Sequence, residues 1–234
     1  MKASSHDVDQ KGAANLPTAL LALTAVTGLV DAISVLGFGI FTANMTGNVV
    51  FLGFAAAGAQ GFSIARSITS LASFLAGAAI GGRLNVALDS TRRRWLLTFA
   101  VCEAALLFVA ALAAIDLEIG SAAPPIRLYS VIALMATAMG LRNATVRRLA
   151  VPDLTTTVLT LTLTGMASDS SLAGGKNPRV GRRFGSVVTM FGGAVIGALL
   201  LKYGLALPLL VTSLCVMVVA LVYTTQSPST ETEQ

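Results

Sequence analysis

The sequence is poor in the side chains that carry out most acid–base and metal chemistry. Its single histidine, His6, lies in a polar N-terminal stretch, and its two cysteines, Cys102 and Cys215, each lie inside an apolar run. Histidine is the usual general base and metal ligand, and two cysteines in apolar surroundings indicate neither a disulfide nor a metal framework. We therefore expect the protein not to be an enzyme and to hold neither a metal nor another cofactor.

Charged residues are scarce as well. Only 12% of the 234 residues are charged and 55% are hydrophobic, whereas about 25% are charged in a typical soluble domain. This composition predicts an integral membrane protein whose main partner is the lipid bilayer. We attribute the net charge of +5 to loop arginines that set the orientation in the membrane, and we do not expect nucleic-acid binding.

Eight apolar runs follow one another along the chain, several of them close to the length of about 20 residues that crosses a bilayer. They are Pro17–Gly37, Ile40–Ala59, Ser67–Leu88, Trp95–Ile115, Leu128–Leu141, Val151–Ala167, Phe184–Leu201 and Leu205–Tyr223. The first run is too long for the apolar region of a signal peptide. We expect one membrane domain over 17–225, flanked by polar tails at 1–16 and 226–234.

Short sequence elements recur in the same order in the two halves of this domain. "GLVDA" at Gly28–Ala32 returns as "GLRNA" at Gly140–Ala144. "RSITSLASFLAGAAIG" from Arg66 matches "RRFGSVVTMFGGAVIG" from Arg182, which aligns Gly77 with Gly193 and Gly81 with Gly197. Glycines four residues apart let membrane helices approach closely. The pattern predicts an internal duplication, with halves at about 17–115 and 127–225.

The basic residues favour one arrangement of these halves. If all eight runs crossed the membrane, the basic loop around Lys176 would lie opposite the other basic loops, against the positive-inside rule. If Ile40–Ala59 and Val151–Ala167 each return to the face they entered, the two halves are inverted. The residues then placed inside are Lys2, Lys11, Arg83, Arg92, Arg93, Arg94, Arg142, Arg147, Arg148, Lys176, Arg179, Arg182 and Arg183, with both termini. We expect an all-α protein with six full spans and two interrupted or re-entrant segments; seven or eight ordinary spans remain the alternative.

The first of the two interrupted runs is polar for its position. "TANMTGNVVFLGF" places Asn44, Thr46 and Asn48 around Gly47, and Gly47 and Gly53 should loosen the helix. Non-helical backbone at membrane depth must be buried in protein or line a water-filled cavity. Paired breaks in two halves point to a transporter's binding site near the midplane. We therefore predict that these residues bind a solute, while hydrogen bonding between helices is the alternative.

The second interrupted run is rich in threonine. Thr160, Thr162 and Thr164 alternate with leucines, and this period of two predicts a short extended strand. Candidate solute-binding residues in this run are Thr156, Thr157, Thr160 and Thr162. A threonine hydroxyl can also bond the helix carbonyl one turn back, which leaves a purely structural role open.

Two acidic residues, Asp31 and Glu103, lie inside apolar runs. An ionised carboxylate there is costly unless it is paired or hydrated, so either could exchange a proton. Asp31 is the stronger candidate because it belongs to the repeated "GLVDA" element, where its counterpart is Asn143, next to Arg142. A fixed ion pair between Asp31 and an arginine is the structural alternative.

"GLVDAISVLGFGIFTANMTGNVVFLGFA" and the later "GLRNATVRRLAVPDLTTTVLTLTLTG" resemble the YoaK family of bacterial inner-membrane proteins, a family of unknown function. The resemblance extends from about Thr24 to Val222, and "ANMTGN" is its most specific part. It implies a multi-pass protein of the bacterial inner membrane and no defined activity. Where that family usually repeats a threonine–glycine pair in its second half, this chain has Thr160 followed by Leu161.

These features together suggest a small secondary transporter or permease for a small polar or anionic solute, bound where the two interrupted segments meet. The rival hypothesis is a membrane scaffold or assembly protein that transports nothing and whose polar residues only join helices. A chain of this size often acts as a homodimer, but the sequence leaves the oligomeric state open.

Overall fold

The structure is a computed structural model, and it describes residues 5–88, 92–117, 125–149 and 159–226, with side chains at 16–88, 94–117, 126–149 and 159–225. Eight α-helices occur in these ranges. They are α1 (Ser5–Phe38), α2 (Met45–Ala56), α3 (Ile64–Ala87), α4 (Arg92–Ala113), α5 (Pro125–Leu149), α6 (Thr160–Ser168), α7 (Val180–Leu200) and α8 (Ala206–Gln226). The described residues contain no strand, and the predicted all-α membrane fold is confirmed.

Six helices are long and two are short. Five of the long helices are long and apolar enough to cross a membrane: Leu16–Phe38 of α1, α3, Arg94–Ala113 of α4, α7 with the 3₁₀ turn that follows it, and α8. The sixth, α5, has 25 residues and is more polar, because it carries Arg127, Arg142, Arg147 and Arg148. Helices suit a bilayer because they satisfy their own backbone hydrogen bonds.

The long helices before and after each short helix meet at the same end of the bundle. In the first half, Nη1 of Arg66 at the start of α3 donates to the carbonyl oxygen of Phe38 at the end of α1, at 3.1 Å. In the second half, Leu149 at the end of α5 and Gly185 in the second turn of α7 both lie beside the first turns of the apolar part of α1. In both halves the chain on either side of the short helix therefore lies at one end of the bundle, which is compatible with the predicted re-entrant segments.

The basic residues gather at one end of the bundle. We call the end at which the apolar part of α1 begins the basic end, because most of the exposed arginines and lysines lie there. These are Arg83, Arg94, Arg147, Arg148, Lys176 and Arg179, and the half-buried Arg182 lies with them. Arg66, Arg127 and Lys202 lie at the opposite end. The long helices α1, α4 and α7 run away from the basic end, while α3, α5 and α8 run toward it.

The centre of the bundle consists of α1, α4, α5 and α8. In it α4 packs on α8, α5 on α4, and α1 on α8. Each remaining long helix packs on the outside of a helix from the other half, α3 on α5 and α7 on α1. The two short helices pack on these outer long helices, α2 on α3 and α6 on α7. The fold therefore places the two short helices on different sides of the bundle.

Glycines bring the backbones of these cross-half pairs into contact. A Cβ atom at Gly28 of α1 would collide with the carbonyl oxygen of Met190 in α7, and one at Gly140 of α5 with that of Phe74 in α3. The same pairing holds for the predicted glycine elements: Gly193 faces the Ala25 carbonyl, and Gly77 faces the Thr137 carbonyl. The two halves thus make equivalent helix contacts with equivalent residues.

Two local predictions are wrong. Residues 160–164 are helical, because α6 begins at Thr160, and not an extended strand. A lone strand at membrane depth would leave its backbone groups unpaired, whereas a short helix pairs its own. Gly47 and Gly53 lie inside α2 and do not interrupt it; the break precedes the helix, between Phe38 and Met45.

Candidate functional site

A buried ion pair lies in the middle of the central helices. Arg142 of α5 is 2% exposed and Glu103 of α4 is 5% exposed. Nη2 of Arg142 donates to Oε1 of Glu103. Glu103 is near the middle of α4, so the pair lies about halfway between the two ends of the bundle. Breaking such a pair leaves an uncompensated charge in apolar surroundings, so each partner fixes the other in place.

The rest of the guanidinium is held by α1. Nη1 of Arg142 donates to Oγ1 of Thr27 at 2.9 Å and to the carbonyl oxygen of Leu23 at 3.3 Å. Its Nε is buried and has no hydrogen-bond partner among the described residues. Asp31, one turn further along α1, lies within electrostatic reach of Arg142, and its buried Oδ1 finds no hydrogen-bond partner in the described part of the chain.

A cavity of about 70 Å³ leads from this pair toward the basic end. Arg142 and Glu103 belong to its wall, together with Thr145 and Tyr223. The remaining wall is apolar and comes from all four central helices: Leu16, Ala19, Leu20, Leu23, Leu96, Phe99, Ala100, Val146, Leu149, Val216, Val219 and Ala220. The two charged groups therefore lie at the inner end of a mainly apolar cavity.

The interior is closed on the other side of the ion pair. Leu107, Ile132, Met135 and Leu209 have no exposed surface and belong to one continuous apolar cluster at the half of the bundle opposite the basic end. The charged pair thus lies between the cavity on the side of the basic end and a fully buried apolar cluster on the opposite side.

Asn48 is a predicted solute-binding residue, and its side-chain oxygen and nitrogen both form hydrogen bonds within the protein. It is fully buried; its Oδ1 accepts from the amide of Phe41 at 2.8 Å, and its Nδ2 donates to the Phe41 carbonyl and, at 3.0 Å, to Oγ of Ser70. Ser70 in turn donates to the same carbonyl at 2.6 Å. Asn48 therefore fastens the unwound chain before α2 to α3.

The other predicted residues of the first interrupted run surround this clamp. Asn44 is half-buried and precedes α2 without capping it through its side chain, and Thr46 is exposed. Gly47 lies against the ring of Phe41, whose Cδ2 would be 2.6 Å from an added Cβ. The glycine thus makes room for an aromatic ring.

The second interrupted run is arranged differently. Thr162 is buried and Thr160 is exposed, while Thr156 and Thr157 lie outside the described residues. Arg183 of α7 holds α6 by donating to the Gly165 carbonyl at 2.6 Å and by pairing with Asp169 at 2.8 Å. Because α2 and α6 pack on different helices, the structure does not bring the two predicted sets of residues into one site.

Asp31 and Asn143 occupy equivalent positions but different surroundings. Asn143 donates to the carbonyl oxygen of Met139 at 2.8 Å and lies along the groove between α3 and α5. Asp31 lies on α1 within electrostatic reach of Arg142. Its Oδ1 has no hydrogen-bond partner among the described residues, and a fixed ion pair between Asp31 and an arginine stays a prediction.

Sequence reasoning assigned Arg142 to a cytoplasmic loop, and this assignment is wrong. α5 continues to Leu149, eight residues past the apolar run that ended at Leu141, so Arg142 is inside the bundle. The signal that could have found it is Glu103, because an acidic residue in an apolar run needs a cationic partner. No group of three or more metal-binding side chains occurs among the residues that the structure describes.

Comparison with known proteins agrees with the resemblance seen in the sequence. The model of a family described as "Protein of unknown function (DUF1275)" matches residues 19–222. UPF0700 transmembrane protein YoaK of Bacillus subtilis (strain 168) is 35% identical over 159 residues, which are 67% of this chain and 67% of that protein. No solved structure matches the chain. The chain therefore belongs to the DUF1275 family and is a multi-pass membrane protein related to YoaK.

Proposed function

We propose that the protein is a small secondary transporter that moves a small polar or anionic solute through the cavity at Arg142. The two interrupted segments do not form the binding site in this proposal. They join each half's first and second long helices and stay outside the central four helices. The site lies instead where α1 and α4 of the first half meet α5 and α8 of the second.

The proposal includes two inverted repeats in the bacterial inner membrane, with the basic end and both termini in the cytoplasm. The positive-inside rule supports this orientation, because Arg83, Arg94, Arg147 and Arg148 share one end. Equivalent helices run in opposite directions, and their glycines make equivalent contacts. Such symmetry supports alternating access, in which the two halves exchange conformations around a fixed site.

One observation carries the proposal: a buried guanidinium lies between a cavity and a fully buried apolar cluster. An ionisable residue at the centre of a membrane protein is costly and usually marks a substrate or ion pathway. Among the described residues, the buried Nε–H of Arg142 also has no hydrogen-bond partner. An unpaired buried donor is costly, and an acceptor group on a solute would remove that cost.

Solute uptake by proteoliposomes tests the proposal. A broad panel of labelled small anions and neutral polar solutes is compared between wild type, Arg142→Lys and Arg127→Lys. We expect at least one solute to be taken up by wild type and by Arg127→Lys, with uptake by Arg142→Lys reduced at least tenfold. Arg127 is the matched control because it lies at the start of the same helix and outside the cavity wall.

A membrane scaffold without transport is the second candidate, and the hydrogen bonding of Asn48 favours it. Every polar atom of that side chain is engaged within the protein, as expected where polar residues only join helices. Folded wild-type protein that moves no member of the panel, although its orientation and lipid content are verified, would support the scaffold and contradict the transporter.

A further inference from the structure

We infer that the transported solute is a short-chain monocarboxylate, and that its carboxylate replaces that of Glu103 at Arg142 while Glu103 takes up a proton. This inference rests on the proposed function and names the substrate class and the coupling ion for the same site. It is carried by the geometry of Arg142, the composition of the cavity wall and the number of charges at the inner end.

One edge of the guanidinium, formed by the N–H groups of Nε and Nη2, is only partly hydrogen-bonded among the described residues. Its Nη1 is occupied by Thr27 and the Leu23 carbonyl, and its Nη2 by Glu103, while Nε has no partner among the described residues. The N–H groups of Nε and Nη2 point to the same side of the guanidinium and match the two oxygens of a carboxylate. Glu103 uses only Nη2, so an incoming carboxylate that used both would be bound by one more hydrogen bond.

The cavity sets the size and polarity of the rest of the solute. The volume of about 70 Å³ is small but above the minimum of about 10–15 Å³ that one water needs, so the cavity suits a solute of a few non-hydrogen atoms, such as propionate or butyrate. Beyond the ion pair, the wall offers hydroxyls from Thr145 and Tyr223 and otherwise aliphatic and aromatic carbon. A second charge on the solute would have no fixed partner there, so dicarboxylates fit poorly and an alkyl chain fits well.

The charges of Arg142, Glu103 and the bound solute together indicate why a proton must bind with the solute. An anion added to the Arg142–Glu103 pair would place two carboxylates against one guanidinium in apolar surroundings, which is strongly unfavourable. If one proton binds the Glu103 carboxylate as the solute carboxylate binds Arg142, the total charge of the site is unchanged. The solute and the proton therefore travel together, one of each.

The neighbouring groups identify Glu103 as the proton acceptor. The groups that face Arg142 are Thr27 and Asp31 from α1 and Glu103 from α4, while α5 itself adds Thr145, and α8 contributes Tyr223 to the same wall. Of the two carboxylates, only Glu103 both contacts Arg142 and lines the cavity. Asp31 stays close enough to influence the site electrostatically but is not replaced by the solute.

Butyrate binding to the purified full-length protein in detergent tests this directly. Calorimetry in two buffers of different ionisation enthalpy counts the protons taken up, and we expect about one proton per butyrate. At a pH above that at which Glu103 is protonated in the unliganded protein, the affinity should fall about tenfold per pH unit. Butyramide, which has the same chain and no negative charge, should bind at least a hundredfold more weakly.

Variants assign the proton to its residue. Glu103→Gln imitates the protonated acid, so butyrate binding should persist, lose its pH dependence and take up no proton; butyrate counterflow should continue, while uptake driven by a pH gradient should stop. Asp116→Asn, at the opposite end of the bundle, is the control and should behave as wild type. If Glu103→Gln does not fold, the proton count of the wild type decides alone.

Several results would overturn the inference. They are butyrate binding without proton uptake, equal binding of butyramide, stronger binding of alanine or succinate than of butyrate, and proton uptake that is lost in Asp31→Asn but kept in Glu103→Gln. If butyrate does not bind but another solute is transported and requires Arg142, this inference fails and the transporter proposal stands. If no solute of the panel is transported, both fail.

Discussion

Gly28 and Gly140 make the same contact in the two halves of the protein. Each lies where its helix crosses the second long helix of the other half, α7 for Gly28 and α3 for Gly140. Each would drive an added Cβ into a backbone carbonyl oxygen, that of Met190 for Gly28 and that of Phe74 for Gly140. Backbone atoms cannot move aside as a side chain can. The cross-half contacts therefore depend on the absence of a side chain at these positions.

The α1–α7 contact allows a matched test at two adjacent glycines. Gly193→Ala would press a methyl group onto the Ala25 carbonyl, whereas Gly192→Ala points into open space. We expect Gly193→Ala to destabilise the fold by about 1–3 kcal/mol through overpacking, and Gly192→Ala to leave it unchanged or slightly stabilised, because alanine favours a helix. Thermal unfolding in detergent measures both. Equal melting temperatures for the two variants would contradict the close packing.

Asn48 should matter for stability and not for solute recognition. Asn48→Ala removes the partners of the Phe41 amide and weakens the attachment of the unwound chain to Ser70, at a cost of about 1–3 kcal/mol for each buried group left unpaired. Thr46→Ala, two residues away and exposed, should have little effect on melting. The opposite result, full stability of Asn48→Ala with lost uptake, would return this residue to the binding site.

Arg142 and Glu103 should be strongly coupled in stability. Arg142→Met or Glu103→Met alone leaves a buried charge without its partner and should cost about 3–5 kcal/mol. The double variant removes both charges and should be less destabilised than the sum of the single variants. Unfolding free energies from denaturant titration in mixed micelles give the coupling energy. Additive effects of the two substitutions would mean that the pair is not formed.

Labelling of engineered cysteines tests the orientation. In a variant without Cys102 and Cys215, Gln60→Cys should react with a membrane-impermeant maleimide added outside the cell, and Lys176→Cys should react only after permeabilisation. Both positions are exposed and lie next to residues with positive φ, Gly61 and Asn177, which are less suitable for substitution. Labelling of both from the same side would contradict the inverted arrangement.

The sequence was sufficient to predict the long helices of this protein but not which residues contact one another in its centre. Composition and run length predicted the long helices, and the repeated glycine elements predicted close helix contacts, because both follow from local physics. They did not reveal that Gly193 meets Ala25 of the other half. A small-residue stripe indicates that some helix packs on it without identifying that helix.

The candidate solute-binding residues show the same difference between local and tertiary information. Two asparagines in an apolar run indicate a need for hydrogen-bond partners, and the sequence cannot tell whether solute or protein supplies them. For Asn48 the partners are Phe41 and Ser70, and Ser70 lies 22 residues further on. Arg142 was counted with the loop arginines because charge statistics favour the surface, and only the tertiary contact with Glu103 reveals that it is buried.

The exchange of outer helices between the halves also constrains how the protein is made. α1 precedes α7 in the chain, so the glycine face of α1 meets its partner, α7, only after some 150 further residues have been synthesised. Until then that face must be covered by lipid or by the insertion machinery. Neither half can therefore mature before the other is complete, and two separately expressed halves should accumulate only when they are produced together.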